Sequence, residues 1–466
     1  MNESVFRAYD IRGTIGKNFF LQSVRDAGLA IAYFFKTEYP HVQSIIIGHD
    51  PRLHSEYIKQ ELIQAFLKSG FSVFDNGLST SPIIYFALHT QPIDAGIMVT
   101  ASHNGKEDNG IKINIGKHAL TSKEIQRIKQ YFFEKKSIGT QTTGTLAPIS
   151  VHDSYTAYLM HQFAHLIGNQ TAFIIDCGNG ASGIIVKELV RQMNWQNVRV
   201  LHAEPDGTFP HHDPDPTHIE NMSDVVNCLR HESYQWGVGI DGDADRMAII
   251  TKSGTLLSGD IVLALFTKDI LRQGKKLTII CNVLASDVIM SQLKKQGAEV
   301  YTVPVGNPIM RTMMHEYDAC IGGETSGHFF FKDRYFGFDD GIYAMMRFFE
   351  LYTHIQQSID DCLKLFPTTF VSPEFRISCA EEEKNEVMTL VKNCFKDHRQ
   401  SCVDGVRVCF DDGWLLIRPS NTQPVISIRF EMTTKKKFTI VQNKIACALP
   451  TYLGNEFIRL CNAMGK

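Results

Sequence analysis

The sequence predicts an α/β protein of three comparable units followed by a smaller α+β unit. Two observations carry that expectation: a strand, helix, strand alternation recurs three times, and the pattern changes character from about residue 367. A chain of 466 residues has room for about three ordinary domains, within a range of about two to four, so the count agrees.

In the first unit, residues 44–48 form a short apolar strand. Ile58, Leu62, Ala65 and Phe66 then recur at helical spacing, Gly70 ends the helix, and 71–74 read as the next strand. Strand, helix and strand at this spacing make a parallel βαβ unit. The same order returns with a strand at 172–176, the Gly-rich turn Cys177-Gly178-Asn179-Gly180, a helix at 184–193 and a strand at 198–201. A third copy has strands at 277–281 and 300–303 around a helix at 287–295. After residue 367 come a strand, a helix at 381–395, two strands around 418–424 and a last helix at 437–449. The Thr/Gly-rich stretch 139–149 marks the first boundary, giving expected domains of 1–150, 151–254, 255–366 and 367–466.

Composition narrows the function. A formal net charge of -3 gives no overall pull toward nucleic acid or an anionic membrane, so any anionic ligand must be held locally. The opening residues lack the basic start and long apolar segment of a secretory signal, and no run approaches membrane-spanning length. Eleven cysteines, odd in number and never spaced C-x-x-C, argue against a disulfide framework or zinc ribbon. A reducing cytoplasm and no membrane or nucleic-acid partner are the expectations.

Four loops carry chemistry. Residues 96–112 bring an apolar strand to a turn holding Ser102, with His103, Asn104 and Lys112 close by; a strand that fixes a hydroxyl beside a His and a Lys suits a nucleophile. Asp241, Asp243 and Asp245 alternate on one tight loop between apolar runs, where they would repel one another without a cation, and their hard oxygen atoms suit Mg²⁺. An EF-hand is excluded, because its required Gly and Glu positions hold Arg246 and Lys252. Glu324, Ser326 and His328 lie on a Gly-rich loop and suit hydroxyl recognition. Arg418, Ser420, Asn421 and Thr422 sit at a turn between two strands, a nest for a phosphate. The His-rich run 211–218 reads instead as a surface loop, since two prolines and no regular element leave its side chains unoriented.

Together, FRAYDIRG at the start, TASHN followed by NGIK, DGDADR, GGETSGH and RPSNTQP resemble the α-D-phosphohexomutases across the full chain, above all the bacterial phosphomannomutase/phosphoglucomutase group. The resemblance implies four domains around a central cleft, three similar α/β domains and a smaller α+β one. It implies a phosphoserine at Ser102, with Asp241, Asp243, Asp245 and an oxygen on Ser102 holding Mg²⁺. Glu324, Ser326 and His328 would bind sugar hydroxyls, and Arg418, Ser420, Asn421 and Thr422 the substrate's phosphate. Tyr9, Arg12, His103, Lys112 and Arg246 would assist transfer, with Lys112 or His103 moving the proton. The implied reaction interconverts hexose 1- and 6-phosphates through a hexose 1,6-bisphosphate, in a monomer or weak dimer. Phosphoglucosamine isomerisation, phosphosugar hydrolysis and non-catalytic sugar-phosphate sensing are the alternatives. Three departures bear on the metal loop and on substrate preference: Ala244 where relatives commonly carry Gly, Asn307 where the group often has His, and no basic residue in 281–286.

Overall fold

Three parallel βαβ sheets, each ending in an antiparallel hairpin, determine where the functional loops fall. The computed structural model describes residues 1–139, 143–272, 274, 277–355, 357–420 and 424–463. In the first sheet the strands run Ile11–Thr14, Asp108–Ile115, Ala95–Val99, Ser44–His49, Ser72–Leu78 and Leu146–Pro148. Ser44–His49 pairs in parallel with both of its neighbours, while Ala95–Val99 and Asp108–Ile115 form the hairpin. Ile45, Ile46 and Ile47 are all fully buried, because helices cover both faces of this central strand.

The second sheet, Met247–Thr251, Trp236–Ile240, Phe173–Asp176 and Val198–Leu201, repeats the plan, with Trp236–Ile240 and Met247–Thr251 as its hairpin. The third, Ala298–Val303, Leu277–Asn282, Ile321–Gly323 and Phe329–Phe331, repeats it again. The C-terminal unit is wholly antiparallel, and its longest pair, Gly413–Pro419 with Val425–Met432, makes a fourth hairpin. The Ser102, Asp241 and Glu324 loops are the turns of the first three hairpins, and Arg418 stands near the end of strand Gly413–Pro419.

Packing joins the first three units more tightly than the fourth. One continuous core runs from Ile46 and the helix Ser81–Thr90 through the second and third sheets. Helix Gly341–His354 supplies Phe349 to it, 4.7 Å from Phe173, and Phe173 stacks on Trp236 at 4.3 Å. The C-terminal unit keeps its own core and meets the third unit where Trp414 and Leu416 pack against Val283 and Leu284.

The strands expected at 71–74 and 300–303 are longer, Ser72–Leu78 and Ala298–Val303, and the helix expected at 381–395 is Lys384–Cys394. The helix expected at 437–449 is Lys435–Ala448, and it is not the last: Thr451–Ala463 follows. Gly454 sits inside this final helix, packed against the preceding one. A Cβ there would lie 2.4 Å from the Ala446 carbonyl oxygen.

Asp340 caps helix Gly341–His354 from within the core, accepting hydrogen bonds from the Tyr343 N–H at 2.8 Å and from the Tyr155 and Tyr335 hydroxyls at 2.9 and 2.8 Å. Burial raises its pKa to about 6, against the hydrogen bonds that lower it. A native pKa above the unfolded value near 3.9 means the folded chain binds the extra proton between about pH 4 and 6. This carboxyl therefore withdraws stability as pH rises through that window, by about 3 kcal/mol in all. Asp340→Asn retains an acceptor that does not ionise. In urea unfolding it is expected to lose less stability than wild type between pH 4 and 6.5; equal slopes contradict the assignment.

Candidate active site

Strand Ala95–Val99 delivers Ser102 to the interior, where it is 2 % exposed and left-handed at φ 53. A non-glycine residue pays about 1–2 kcal/mol for that conformation, so the loop must be held from outside. Arg52 holds it. Its buried guanidinium donates to the backbone carbonyls of Ser102, Asn104, Gly105 and Asp108 at 2.7, 2.5, 2.6 and 3.0 Å. Asp50, which accepts from Arg52 Nε at 2.9 Å and from Thr100 Oγ1 at 2.7 Å, fixes the guanidinium, and Thr100 Oγ1 accepts from the Ser102 N–H at 2.8 Å. Neither Asp50 nor Arg52 stood out in the sequence; the available signal was their place at the carboxyl end of a parallel strand.

Ser102 Oγ donates to Asp241 Oδ2 at 2.8 Å and lies 3.2 Å from His103 Nδ1. The two loops meet so closely that a Cβ on Gly242 would sit 2.6 Å from the Ser102 carbonyl oxygen, so only glycine fits. Asp241, Asp243 and Asp245 are all buried, with carboxylate oxygen atoms inside one 4.8 Å cluster able to hold a metal ion. Asp243 Oδ1 is buried without a hydrogen-bond partner, and Asp245 Oδ1 faces His328 Nε2 at 3.3 Å. Ala244 adopts φ 65, a left-handed conformation that glycine takes without strain, yet the loop keeps its three carboxylates together.

Lys112 balances this charge, with Nζ 2.6 Å from both Asp243 Oδ2 and Asp245 Oδ2. Burial lowers the lysine pKa, but Asp243 and Asp245 outweigh burial and hold it well above its ordinary value. Burial likewise raises Asp241 well above the usual carboxylate range, with Asp245 and Asp243 adding to the effect. Asp245 goes the other way: Lys112 and His328 overcome burial and hold it low. Burial, Arg246 and Arg12 depress His103 well below its ordinary value, which favours the neutral imidazole.

The third loop docks on the second through backbone bonds, Met247 N–H to the Gly327 carbonyl at 3.0 Å, and through Arg246, whose Nε is 3.2 Å from His328 Nε2. His328 Nδ1 lies 2.9 Å from Glu324, and Ser326 Oγ 3.3 Å from the same nitrogen. Burial and Arg246 push His328 down, but Asp245 and Glu324 prevail and raise it to about 10. Asn307 turns to Asp339, which Arg311 also pairs at 2.7 Å, so the residue at this departure faces the same carboxylate-lined wall. Arg12 reaches Asn104 Oδ1 at 3.4 Å and pairs with Asp10 at 2.6 Å. Tyr9 approaches Gly306, where a Cβ would meet its ring at 2.9 Å, and feels the charges of Asp404, Arg418 and Glu324.

On the fourth loop Arg418 pairs with Asp404 at 2.9 Å, and Lys384 Nζ, a second cation that the sequence reading missed, donates to the Ser420 carbonyl at 2.8 Å. Asn421 and Thr422 lie outside the described residues.

A buried serine beside a carboxylate cluster, cations of both kinds, and a neutral imidazole within reach form a site suited to moving phosphoryl groups. Comparison with known proteins agrees. Family models described as phosphoglucomutase/phosphomannomutase alpha/beta/alpha domains I, II and III match residues 3–138, 153–254 and 258–370, and the C-terminal domain model matches 374–448. The chain belongs to the phosphoglucomutase/phosphomannomutase family. It is 31 % identical to the phosphomannomutase/phosphoglucomutase of Pseudomonas syringae pv. tomato over 442 residues, 94 % of each chain. A phosphoglucomutase/phosphomannomutase family protein from Burkholderia thailandensis superposes with a TM-score of 0.88 at 28 % identity, over 96 % of this chain and 97 % of that one. An Aspergillus fumigatus N-acetylphosphoglucosamine mutase variant, solved with glucose 1,6-bisphosphate, shares the fold at a TM-score of 0.59 and 12 % identity, over 95 % of this chain and 94 % of that one.

Lys112 holds the Oδ2 atoms of Asp243 and Asp245 and leaves their Oδ1 atoms, so its positive charge rather than its position opposes a cation in the cluster. Lys112→Met is expected to bind Mg²⁺ at least about tenfold more tightly by isothermal titration calorimetry, about 1.4 kcal/mol. Unchanged or weaker binding contradicts that opposition.

Proposed function

We propose that this chain is a Mg²⁺-dependent phosphohexomutase that interconverts hexose 1-phosphate and hexose 6-phosphate, of mannose and/or glucose, through a phosphoserine at Ser102. The observation that carries the reading is the 2.8 Å contact from Ser102 Oγ to Asp241, the first of three buried carboxylates, in a chain of this family. The fit of Asp241, Asp243 and Asp245 to a hard cation supports Mg²⁺, held by these residues and an oxygen on Ser102. Bound there, the ion would neutralise charge on the transferring phosphoryl group.

In the forward half, a sugar hydroxyl attacks the phosphorus on Ser102, the bond from phosphorus to Ser102 Oγ breaks, and the hydroxyl proton passes to His103, or to Lys112 in its neutral amine form. The product is a hexose 1,6-bisphosphate. After it turns over, its other phosphate returns to Ser102 Oγ and the proton goes back to the sugar oxygen. Arg12 and Arg246 would steady the charge, and Tyr9 would line the sugar's path. Glu324, Ser326 and His328 would hold hydroxyls common to both orientations. Arg418, Ser420, Asn421 and Thr422 would hold the phosphate that does not react, and the Lys384 contact with Ser420 supports a cationic setting for it. One distal phosphate nest serving both orientations makes the reversal economical, since positioning accounts for most of such catalysis. The four loops fall one each in domains taken as 1–150, 151–254, 255–366 and 367–466. Eleven unpaired cysteines support a cytoplasmic setting, and the working assembly is a monomer or weak dimer acting on a small phosphosugar.

Ser102→Ala is expected to lose at least about 10³-fold in turnover of mannose and glucose 1-phosphates, assayed with added bisphosphate and with unchanged circular dichroism. Near-normal turnover refutes the phosphoserine. In wild type, ³¹P spectra should exchange one sugar phosphate for another; inorganic phosphate appearing as fast as substrate disappears would identify a phosphatase instead.

A further inference from the structure

We propose that the chain carries a second metal site, remote in chemistry from the acidic cluster: a zinc-class divalent ion held by Asp176, His202 and His212. The run 211–218 lacks a regular element to orient it, but the fold supplies two from elsewhere. Asp176 ends strand Phe173–Asp176, His202 follows strand Val198–Leu201, and His212 comes back over both. Their ligand atoms lie within 4.8 Å of one another. His202 Nδ1 is 3.1 Å from both Asp176 oxygen atoms, and His212 Nε2 is 3.4 Å from Asp176 Oδ2. Ligands about 2.0–2.1 Å from a tetrahedral ion stand about 3.3 Å apart, close to these spacings.

The outward nitrogen of each imidazole strengthens the case. His212 Nδ1 lies 2.7 Å from the Asp213 carbonyl oxygen, which only accepts, so Nδ1 carries a hydrogen. His202 Nε2 lies 3.2 Å from Asp224 Oδ2, which accepts likewise. The inner nitrogens, Nε2 of His212 and Nδ1 of His202, face the Asp176 carboxylate, which is 1 % exposed. Two imidazole nitrogens gathered on one buried carboxylate are placed to exchange their hydrogens for a metal ion, and a carbonyl or carboxylate on the far nitrogen is the outer shell that metal-bound histidines use. Two imidazoles and one carboxylate favour Zn²⁺ over Mg²⁺. His211, stacked on His202 at 4.0 Å with its Nδ1 2.7 Å from Asn179 Oδ1, closes one side.

The site would act as a brace. The Ala181 N–H donates to the Gly242 carbonyl at 3.0 Å, and the Gly242 N–H to the Pro214 carbonyl at 3.2 Å. An ion tying the 176–181 turn to the 211–214 segment thus grips both sides of Gly242, the residue pressed against the Ser102 loop.

The full chain, with the acidic cluster saturated by excess Mg²⁺, would be titrated with Zn²⁺ by calorimetry and with Co²⁺ by visible absorption. Expected are one ion per chain, the intense d–d band of tetrahedral Co²⁺, and a melting temperature raised by Zn²⁺. His212→Gln and His202→Gln should each weaken uptake at least about 100-fold and abolish the band, while Asp243→Asn should retain both. Uptake absent in wild type would mean that protons alone bridge the rings to Asp176, and it overturns the proposal. So does uptake that persists in both His variants, or that disappears in Asp243→Asn. The two His variants guard against a single substitution that fails to fold.

Discussion

Three carboxylates buried on one loop are unstable without positive charge, and the placement of that charge governs the rest of this structure. Lys112 supplies it from the first unit to a loop of the second, across 131 and 133 residues of sequence. The contact does two jobs at once. It neutralises Asp243 and Asp245, and it locks the strand carrying Lys112, and with it the Ser102 turn, onto the acidic loop. Asp241 stays outside the lysine's direct reach and takes the serine hydroxyl instead.

The same economy appears in the architecture. Each hairpin turn projects from the carboxyl end of its sheet, where open α/β folds place ligands. Repeating one sheet plan three times therefore brings Ser102, the acidic loop and the Glu324 loop together, and the antiparallel unit adds Arg418. Precision comes from buried polar staples: Arg52 on four carbonyls of the Ser102 turn, and Glu431, which joins Ser286 of the third unit at 2.8 Å to Trp414 of the fourth at 2.6 Å. Losing one member of such a buried set leaves the others unpaired, which costs more than the contact itself contributes.

Much of this was legible in the sequence because the chemistry is local. Asp241, Asp243 and Asp245 alternate within five residues, and apolar strands on either side already made a solvated acidic turn improbable. The three βαβ units were visible from period and glycine stops, and helix Asp287–Lys295 falls where the sequence placed it. What stayed hidden is non-local. Arg52 works through backbone carbonyls about fifty residues away, which leave no pattern of side chains to read. His212 looked unoriented because its partners stand at the ends of two other strands. Within the final helix, packing against Ala446 outweighs the weak helix preference of Gly454.

The central claim is that Ser102 Oγ carries the phosphoryl group between the two positions of the sugar. Brief incubation of the full chain with ³²P-labelled glucose 1,6-bisphosphate, followed by peptide mapping, tests it most directly. The account predicts label on the peptide holding Ser102, and its loss to sugar on a chase with unlabelled hexose 1-phosphate. Label on a different residue, or an enzyme that turns over without ever becoming labelled, would contradict it.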